Sequence, residues 1–179
     1  MLKRSHLLTL LVICFAIVGM SGMALAQEAD MIEPVNLTSE PVVLEFNSGA
    51  AGPPTIELLT DGRMTFRITG AGTVTGALAG NLTARVSEVT VNPAPPFHQV
   101  TVMFTIETEQ GMIEGYYAGS LHRSEGADQA DISATGAILS VSGAYADLYL
   151  AEVIVKSAVQ FVDGRSVGES GTITISARS

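Results

Sequence analysis

The side chains able to act as acids, bases or metal ligands are few and widely spaced in this sequence. Histidine titrates near neutrality, so His98 and His122, each at one end of a strand-like segment, are candidate acids or bases. Their spacing matches no zinc motif. We interpret both as rim residues with a structural or solvent-facing role, and contact with a ligand is the alternative.

Three glutamates, Glu107, Glu109 and Glu114, flank a predicted hairpin centred on Gln110 and Gly111. Two neighbouring carboxylates can serve as an acid and a base. Acidic hairpin tips also serve solubility alone, and this second interpretation is the one we favour.

Other motifs of binding and catalysis are weak or missing from the sequence. Glu125, Asp128 and Asp131 recur at every third residue, whereas an EF-hand loop places its calcium ligands at alternate residues. The segment 168–171 is not a Gly-x-Ser-x-Gly elbow, and no Gly-x-Gly-x-x-Gly element opens a helix. We therefore predict no catalytic residue, no metal site and no cofactor.

Tyrosines have an apolar ring and a polar tip, which suits the mouth of a cavity, although packing in a core or at a rim is the favoured interpretation. If a cavity exists, the candidate ligand-binding residues at its mouth are His98, Glu114, Tyr116, Tyr117, His122 and Tyr145.

The elements that must position these residues are predicted to be β-strands. Apolar residues alternate with polar ones in 63–69, 98–108, 152–162 and 172–178, a pattern typical of half-buried antiparallel strands. The pairs Asp61-Gly62 and Asp163-Gly164 favour tight hairpin turns. Glycines recur inside the strand-like segments, as they do at the corners of barrels. The sequence therefore predicts an all-β fold, a single antiparallel β-barrel of about eight strands over 42–179, with a β-sandwich as the alternative.

Two segments depart from this pattern. Segment 92–96 contains three prolines and cannot be a central strand, because proline has no donor for the ladder. Segment 144–151 is rich in alanine and leucine, and a short helical turn there is an alternative to a strand.

The N-terminus has the pattern of a secretory signal peptide. Lys3 and Arg4 precede an apolar run, and Ala24-Leu25-Ala26 is a small-x-small cleavage site. We predict cleavage after Ala26 and a secreted or periplasmic location, with an uncleaved membrane anchor as the alternative. Residues 27–41 are acidic and contain two prolines, which is typical of a flexible lead-in.

The composition of the chain limits the kinds of molecule that we expect it to bind. Without residues 1–26, seven basic residues face eighteen acidic ones, a formal charge of −11. This charge excludes phosphate backbones as partners and disfavours anionic lipid, so we expect no nucleic acid and no stable membrane insertion after signal cleavage. The only cysteine, Cys14, lies in the signal, so the mature chain has neither disulfides nor a thiolate nucleophile. The oligomeric state is not predicted by the sequence.

The segment from Gly111 to Ser176 contains three motifs that suggest a family. They are Gly-Tyr-Tyr-Ala-Gly at 115–119, Ile-Ser-Ala-Thr-Gly-Ala-Ile at 132–138 and Gly-Ala-Tyr-Ala-Asp-Leu at 143–148. This segment resembles the barrel shared by allene oxide cyclases and dirigent proteins. The resemblance implies an eight-stranded antiparallel barrel with an apolar cavity, in a group whose members act as cyclases, guide radical coupling or have no known activity. None of the family's catalytic residues is carried over to a position of this sequence.

The sequence thus favours a function without catalysis: an exported β-barrel module that holds a small apolar ligand. The alternatives are an isomerase or cyclase of the allene-oxide-cyclase kind and a cell-surface interaction protein.

Overall fold

The computed structural model describes residues 40–90, 97–163 and 165–177. The predicted signal peptide, nearly all of the acidic lead-in and the proline segment 92–96 lie outside these residues. The described residues form β-strands almost throughout, with one short 3₁₀ helix at Gly143–Leu148.

Nine strands follow one another along the described chain. Their bounds are β1 Val42–Ala50, β2 Thr55–Leu58, β3 Met64–Gly76, β4 Gly80–Thr90, β5 Phe97–Thr108, β6 Gly111–His122, β7 Gln129–Val141, β8 Glu152–Val162 and β9 Arg165–Ser176.

All neighbouring strands are antiparallel and the sheet closes on itself. The order is β1-β9-β8-β7-β6-β5-β4-β3-β2, and β1 also pairs with β3. The C-terminal half of β3, from Gly70 to Gly76, pairs with β1 and closes an eight-stranded barrel. The N-terminal end of β3, from Met64 to Arg67, pairs with β2, which is an extra strand beyond the closure. The predicted barrel is therefore confirmed, and the β-sandwich alternative is wrong.

Alternation places one face of each strand in the barrel interior. On β5, for example, Val100, Val102, Phe104 and Ile106 are at most 2% exposed, whereas the intervening Met103 is 41% exposed. The directly opposite residues on neighbouring strands share this inward face, as Tyr117 does opposite Val102. Burial of these side chains supplies the core, as the two-residue period predicted.

One end of the barrel is closed by the 3₁₀ helix between β7 and β8. Leu148 and Tyr145 on this helix are at most 1% exposed and belong to the same core as Leu78. The Tyr145 hydroxyl lies 2.5 Å from Thr108 Oγ1 at the end of β5, so its polar tip is satisfied although the ring is buried. The helical turn that was the alternative for 144–151 is present, and we call this the closed end.

Inward-facing glycines lie where neighbouring strands approach closely. A Cβ on Gly136 of β7 would collide with the carbonyl oxygen of Tyr116 on β6 and lie 2.7 Å from the Cα of Tyr117. Only glycine allows the two backbones to approach this closely, which is how the sheet coils into a barrel.

The hairpin connections agree with the turn chemistry of the sequence. Gly62 lies between β2 and β3 with a φ of 85°, and Asp163, which follows β8, has a φ of 51°. Glycine and aspartate are the residue types that adopt such left-handed conformations at low cost. Within the described residues, no helix has the length and apolar character needed to cross a bilayer.

Candidate functional site

The interior changes character along the barrel axis. At the end opposite the 3₁₀ helix, where β5 begins and β6 ends, the inward side chains Phe66, Ile68, Val86 and Phe161 are only half-buried. We call this end the mouth. Polar side chains on the inward face are concentrated in this half, because Ser48, Glu88, His98, Ser157 and Glu169 all have inward register there.

Glu169 on β9 is the central polar residue of this interior. It lies directly opposite Ser48 on β1 and Val159 on β8. Ser157 Oγ donates a hydrogen bond of 2.6 Å to Glu169 Oε1. The Tyr117 hydroxyl, on β6, faces the same carboxyl and is close enough to lower its pKa. We call Glu169, Ser157 and Tyr117 the carboxyl cluster.

Burial controls the protonation of the carboxyl cluster. Removal from water raises the pKa of Glu169 above its usual value, and the hydrogen bonds from Ser157 and Tyr117 offset only part of this effect. The pKa of Tyr117 is also raised, first by burial and then by the nearby charge of Glu169, so its hydroxyl remains a donor. The Tyr117 ring is 3% exposed and packs against Phe104 with centroids 6.1 Å apart. Glu169 is therefore a carboxyl group that can exchange a proton in an apolar setting.

A second polar pair lies at the mouth. His98 Nδ1 hydrogen-bonds to Glu88 Oε1, and the two side chains are 28% and 23% exposed. Glu88 on β4 lies opposite Val100 of β5, and His98 lies opposite Leu121 of β6. With Nδ1 engaged by the carboxylate, Nε2 of His98 is the ring nitrogen left to act as a base or to contact a ligand.

A cation–π contact connects two segments at the mouth. The guanidinium of Arg123, in the β6–β7 connection, lies 3.9 Å from the ring centroid of Phe161 on β8. Arg123 Nε also donates to the carbonyl oxygen of Ala127 over 2.9 Å. This arrangement fixes the arginine over the half-buried ring.

The structure brings together only some of the residues predicted to line a mouth. His98 lies at the mouth and Tyr117 points into the interior. Tyr145 lies at the closed end, on the side of the 3₁₀ helix. The outward register positions of β6 hold Glu114, Tyr116 and His122.

Three interior residues were missed by the sequence analysis: Glu88, Ser157 and Glu169. Each continues an alternating series that could have revealed it. Glu169 is on the same face as Ile173 and Ile175, two and three alternations away, and Ser157 stands between Val155 and Val159. A polar residue within such a series marks a functional position more sharply than one at a hairpin tip.

A shallow groove also opens on the wall of the barrel. It has a volume of about 490 Å³ and is lined by Arg67, Arg85, Ser87 and Met103 at outward positions and by Ile68 and Val86, which have inward register. Arg67 is 63% exposed and pairs with Glu57 at 3.5 Å. Exposed pairs of this kind contribute little energy, so we place the candidate site in the interior and not in this groove.

The described residues contain no group of three histidine, cysteine or acidic side chains that could hold a metal ion. The site therefore consists of the carboxyl cluster and the Glu88–His98 pair in an apolar barrel. Comparison with known proteins gave no matching family model, no matching curated protein and no matching solved structure.

Proposed function

We propose that this protein is a binding module that holds a small, largely apolar molecule in the mouth half of the barrel. The observation that carries the proposal is the placement of the carboxyl cluster, Glu169 with Ser157 and Tyr117, among apolar inward side chains. Apolar walls with a few convergent polar groups are the usual composition of a small-molecule site.

The two ends of the barrel differ in how much of their inward apolar surface is covered. The inward residues near the closed end, such as Ile113 and Ile138, are completely buried and serve stability. The inward residues at the mouth, such as Phe66 and Val86, keep part of their surface in contact with water. A ligand that covers this apolar surface gains about 25 cal/mol for each Å² removed from water.

Thermal unfolding of residues 27–179 with a panel of neutral lipids and terpenoids tests this proposal. A ligand that binds only the folded state stabilises it by about 2.7 kcal/mol at a hundred times its Kd, which raises Tm by several degrees. Phe66→Asp, at the mouth, should abolish the shift, whereas Glu45→Gln on the outer face of β1 should keep it. A flat Tm across the whole panel would show that the barrel is not such a module.

We also propose that the mature protein acts outside the cytoplasm, after cleavage behind Ala26. The charged, apolar and small-residue order of residues 1–26 supports this location. N-terminal sequencing of protein recovered from a secreting host should begin at Gln27, and recovery of Met1 would contradict the proposal.

A second candidate function is an isomerase or cyclase in a barrel of the allene-oxide-cyclase kind. The observation that favours it is Glu169, because a buried carboxyl with a raised pKa suits a group that donates and accepts protons. Glu169→Gln would then lose turnover of a bound epoxide or enone while keeping its affinity. Retained turnover in Glu169→Gln would remove this candidate and leave the binding module intact.

A further inference from the structure

We propose that Glu169 receives a positively charged amino group, so that the ligand of this barrel is an amphiphile with a protonated amine and an apolar body. This inference rests on the proposed binding function and narrows its ligand class. The juxtaposition that carries it is an inward carboxylate that faces two hydroxyl groups and that forms no ion pair with any cation of the described residues.

Buried carboxylates in proteins are normally paired with a cation, because an unpaired charge is costly away from water. The ion pairs among the described residues are Arg63–Asp61, Arg67–Glu57 and His98–Glu88, and none of them includes Glu169. Its polar neighbours are the hydroxyls of Ser157 and Tyr117, which stabilise the carboxylate without neutralising it. A positive charge beside Glu169 would therefore have to come from the ligand.

The neighbours of Glu169 do not supply that charge. On β1 the opposite residue is Ser48, and on β8 it is Val159. Across the barrel, β6 contributes Tyr117, which is neutral because its pKa is raised. None of these three side chains carries a positive charge at neutral pH.

Two positively charged or chargeable groups at the mouth are already engaged. His98 is hydrogen-bonded to Glu88, so each of these two side chains already has a polar partner. The Arg123 guanidinium lies over the Phe161 ring and donates to the Ala127 carbonyl. Arg165, at the start of β9, is exposed and lies four residues from Glu169, and the ion pairs of the described residues do not join the two. The ionised Glu169 would therefore gain from an added cation.

The chemistry of the carboxyl cluster discriminates between ligand classes. A ligand carboxylate would place a second negative charge beside Glu169, which disfavours binding. A ligand alcohol would add only another hydroxyl donor to the two that Ser157 and Tyr117 provide. A protonated amine forms a charge-assisted hydrogen bond, about twice as strong as a neutral one, and removes the unpaired charge.

Calorimetric titration of residues 27–179 with decylamine, decanol and decanoate, each below its micelle concentration, tests the inference. The three ligands share one apolar body and differ in the charge of the head. We expect decylamine to bind about tenfold more tightly than decanol, which corresponds to one charge-assisted hydrogen bond, and decanoate to bind most weakly. In Glu169→Gln the advantage of the amine should vanish, and in the outer-face control Glu45→Gln it should persist.

The dependence on pH gives a second, independent readout. Since the pKa of Glu169 is raised, affinity for decylamine should increase as pH rises and the carboxyl ionises, whereas affinity for decanol should not increase.

The outcomes of these titrations distinguish the amine inference from the proposed binding function. If decanol and decylamine bind equally, or if Glu169→Gln keeps the preference for the amine, the inference is overturned and the binding function stands. If none of the three ligands binds, both are overturned.

Discussion

The hydroxyl of Tyr117 on β6 faces the carboxyl of Glu169 on β9, although β7 and β8 separate these strands in the sheet. The contact therefore crosses the barrel interior instead of following the wall. It joins two residues that are 52 positions apart in the chain. A carboxyl held in this way couples the protonation of the interior to the stability of the whole barrel.

Glu169→Gln should change how stability depends on pH. A raised pKa in the folded state means that folding favours the protonated carboxyl, so the stabilisation is complete below the ordinary value of 4.5 and is lost as pH rises through the folded-state pKa. The variant lacks this titration. We therefore expect its free energy of unfolding, relative to that of the wild type, to improve as pH rises across this range, as measured by urea unfolding.

The matched control for this measurement is Glu45→Gln, which removes one negative charge from the exposed face of β1. Asp61 cannot account for the expected trend. Its pKa is lowered by Arg63, so its contribution to stability has the opposite sign. A constant difference between wild type and Glu169→Gln at all pH values would contradict the raised pKa.

Tyr117→Phe should destabilise the barrel chiefly where Glu169 is ionised. The substitution keeps the buried ring and its packing against Phe104 but removes one hydroxyl donor from the carboxylate. The loss should be about 1–2 kcal/mol in urea unfolding at a pH above the titration of Glu169, and smaller in acid. Tyr116→Phe, on the outer face of the same strand, should change stability by less than about 0.5 kcal/mol. Equal effects of the two variants would show that the Tyr117 hydroxyl does not stabilise the ionised carboxyl of Glu169.

Much of the fold was predictable because closure of the barrel follows from local patterns. The alternation of Val100, Val102 and Phe104 fixes the inward face of β5, and the Asp-Gly pairs mark where strands reverse. The glycines within the strand-like segments favoured a barrel, and at Gly136 the backbones of β6 and β7 approach closely.

The site was less predictable because it depends on which strands face one another across the interior. The candidate histidines and tyrosines were predicted from residue type alone. Two of them, His98 and Tyr117, have inward register, whereas Tyr116 is at an outward register position. Glu169 lies in a glycine-rich segment whose inward face is set by Ile173 and Ile175, and its partner Tyr117 belongs to a distant strand. Periodicity gives the face of each residue, whereas the contact between them depends on the order and tilt of the strands.

Leu148→Ala should weaken the closed end of the barrel. Leu148 is completely buried on the 3₁₀ helix, so its truncation leaves a cavity in the core around Leu78 and Ile138. We expect a loss of about 2–5 kcal/mol in urea unfolding, as for other leucines in well-packed cores. The adjacent Tyr149 is 57% exposed, and Tyr149→Ala should have a much smaller effect. Similar losses for both variants would show that the helix does not plug the barrel.

Gly136→Ala tests whether the close approach of β6 and β7 is required for closure. An added Cβ at this position would collide with the carbonyl oxygen of Tyr116 and come within 2.7 Å of the Tyr117 Cα. These are backbone atoms of a neighbouring strand, so the strands must separate and the ladder between them must weaken. We expect a loss of about 2–4 kcal/mol in the free energy of unfolding, together with faster hydrogen exchange at the β6–β7 ladder amides.

The control for Gly136→Ala is Gly52→Ala, because a Cβ on Gly52 would meet no atom within 4 Å. This second substitution lies in the β1–β2 connection and should leave stability unchanged or raise it slightly by restricting the unfolded chain. Wild-type stability and unchanged exchange in Gly136→Ala would mean that the strands separate without cost, and that the glycine does not determine the curvature of the sheet.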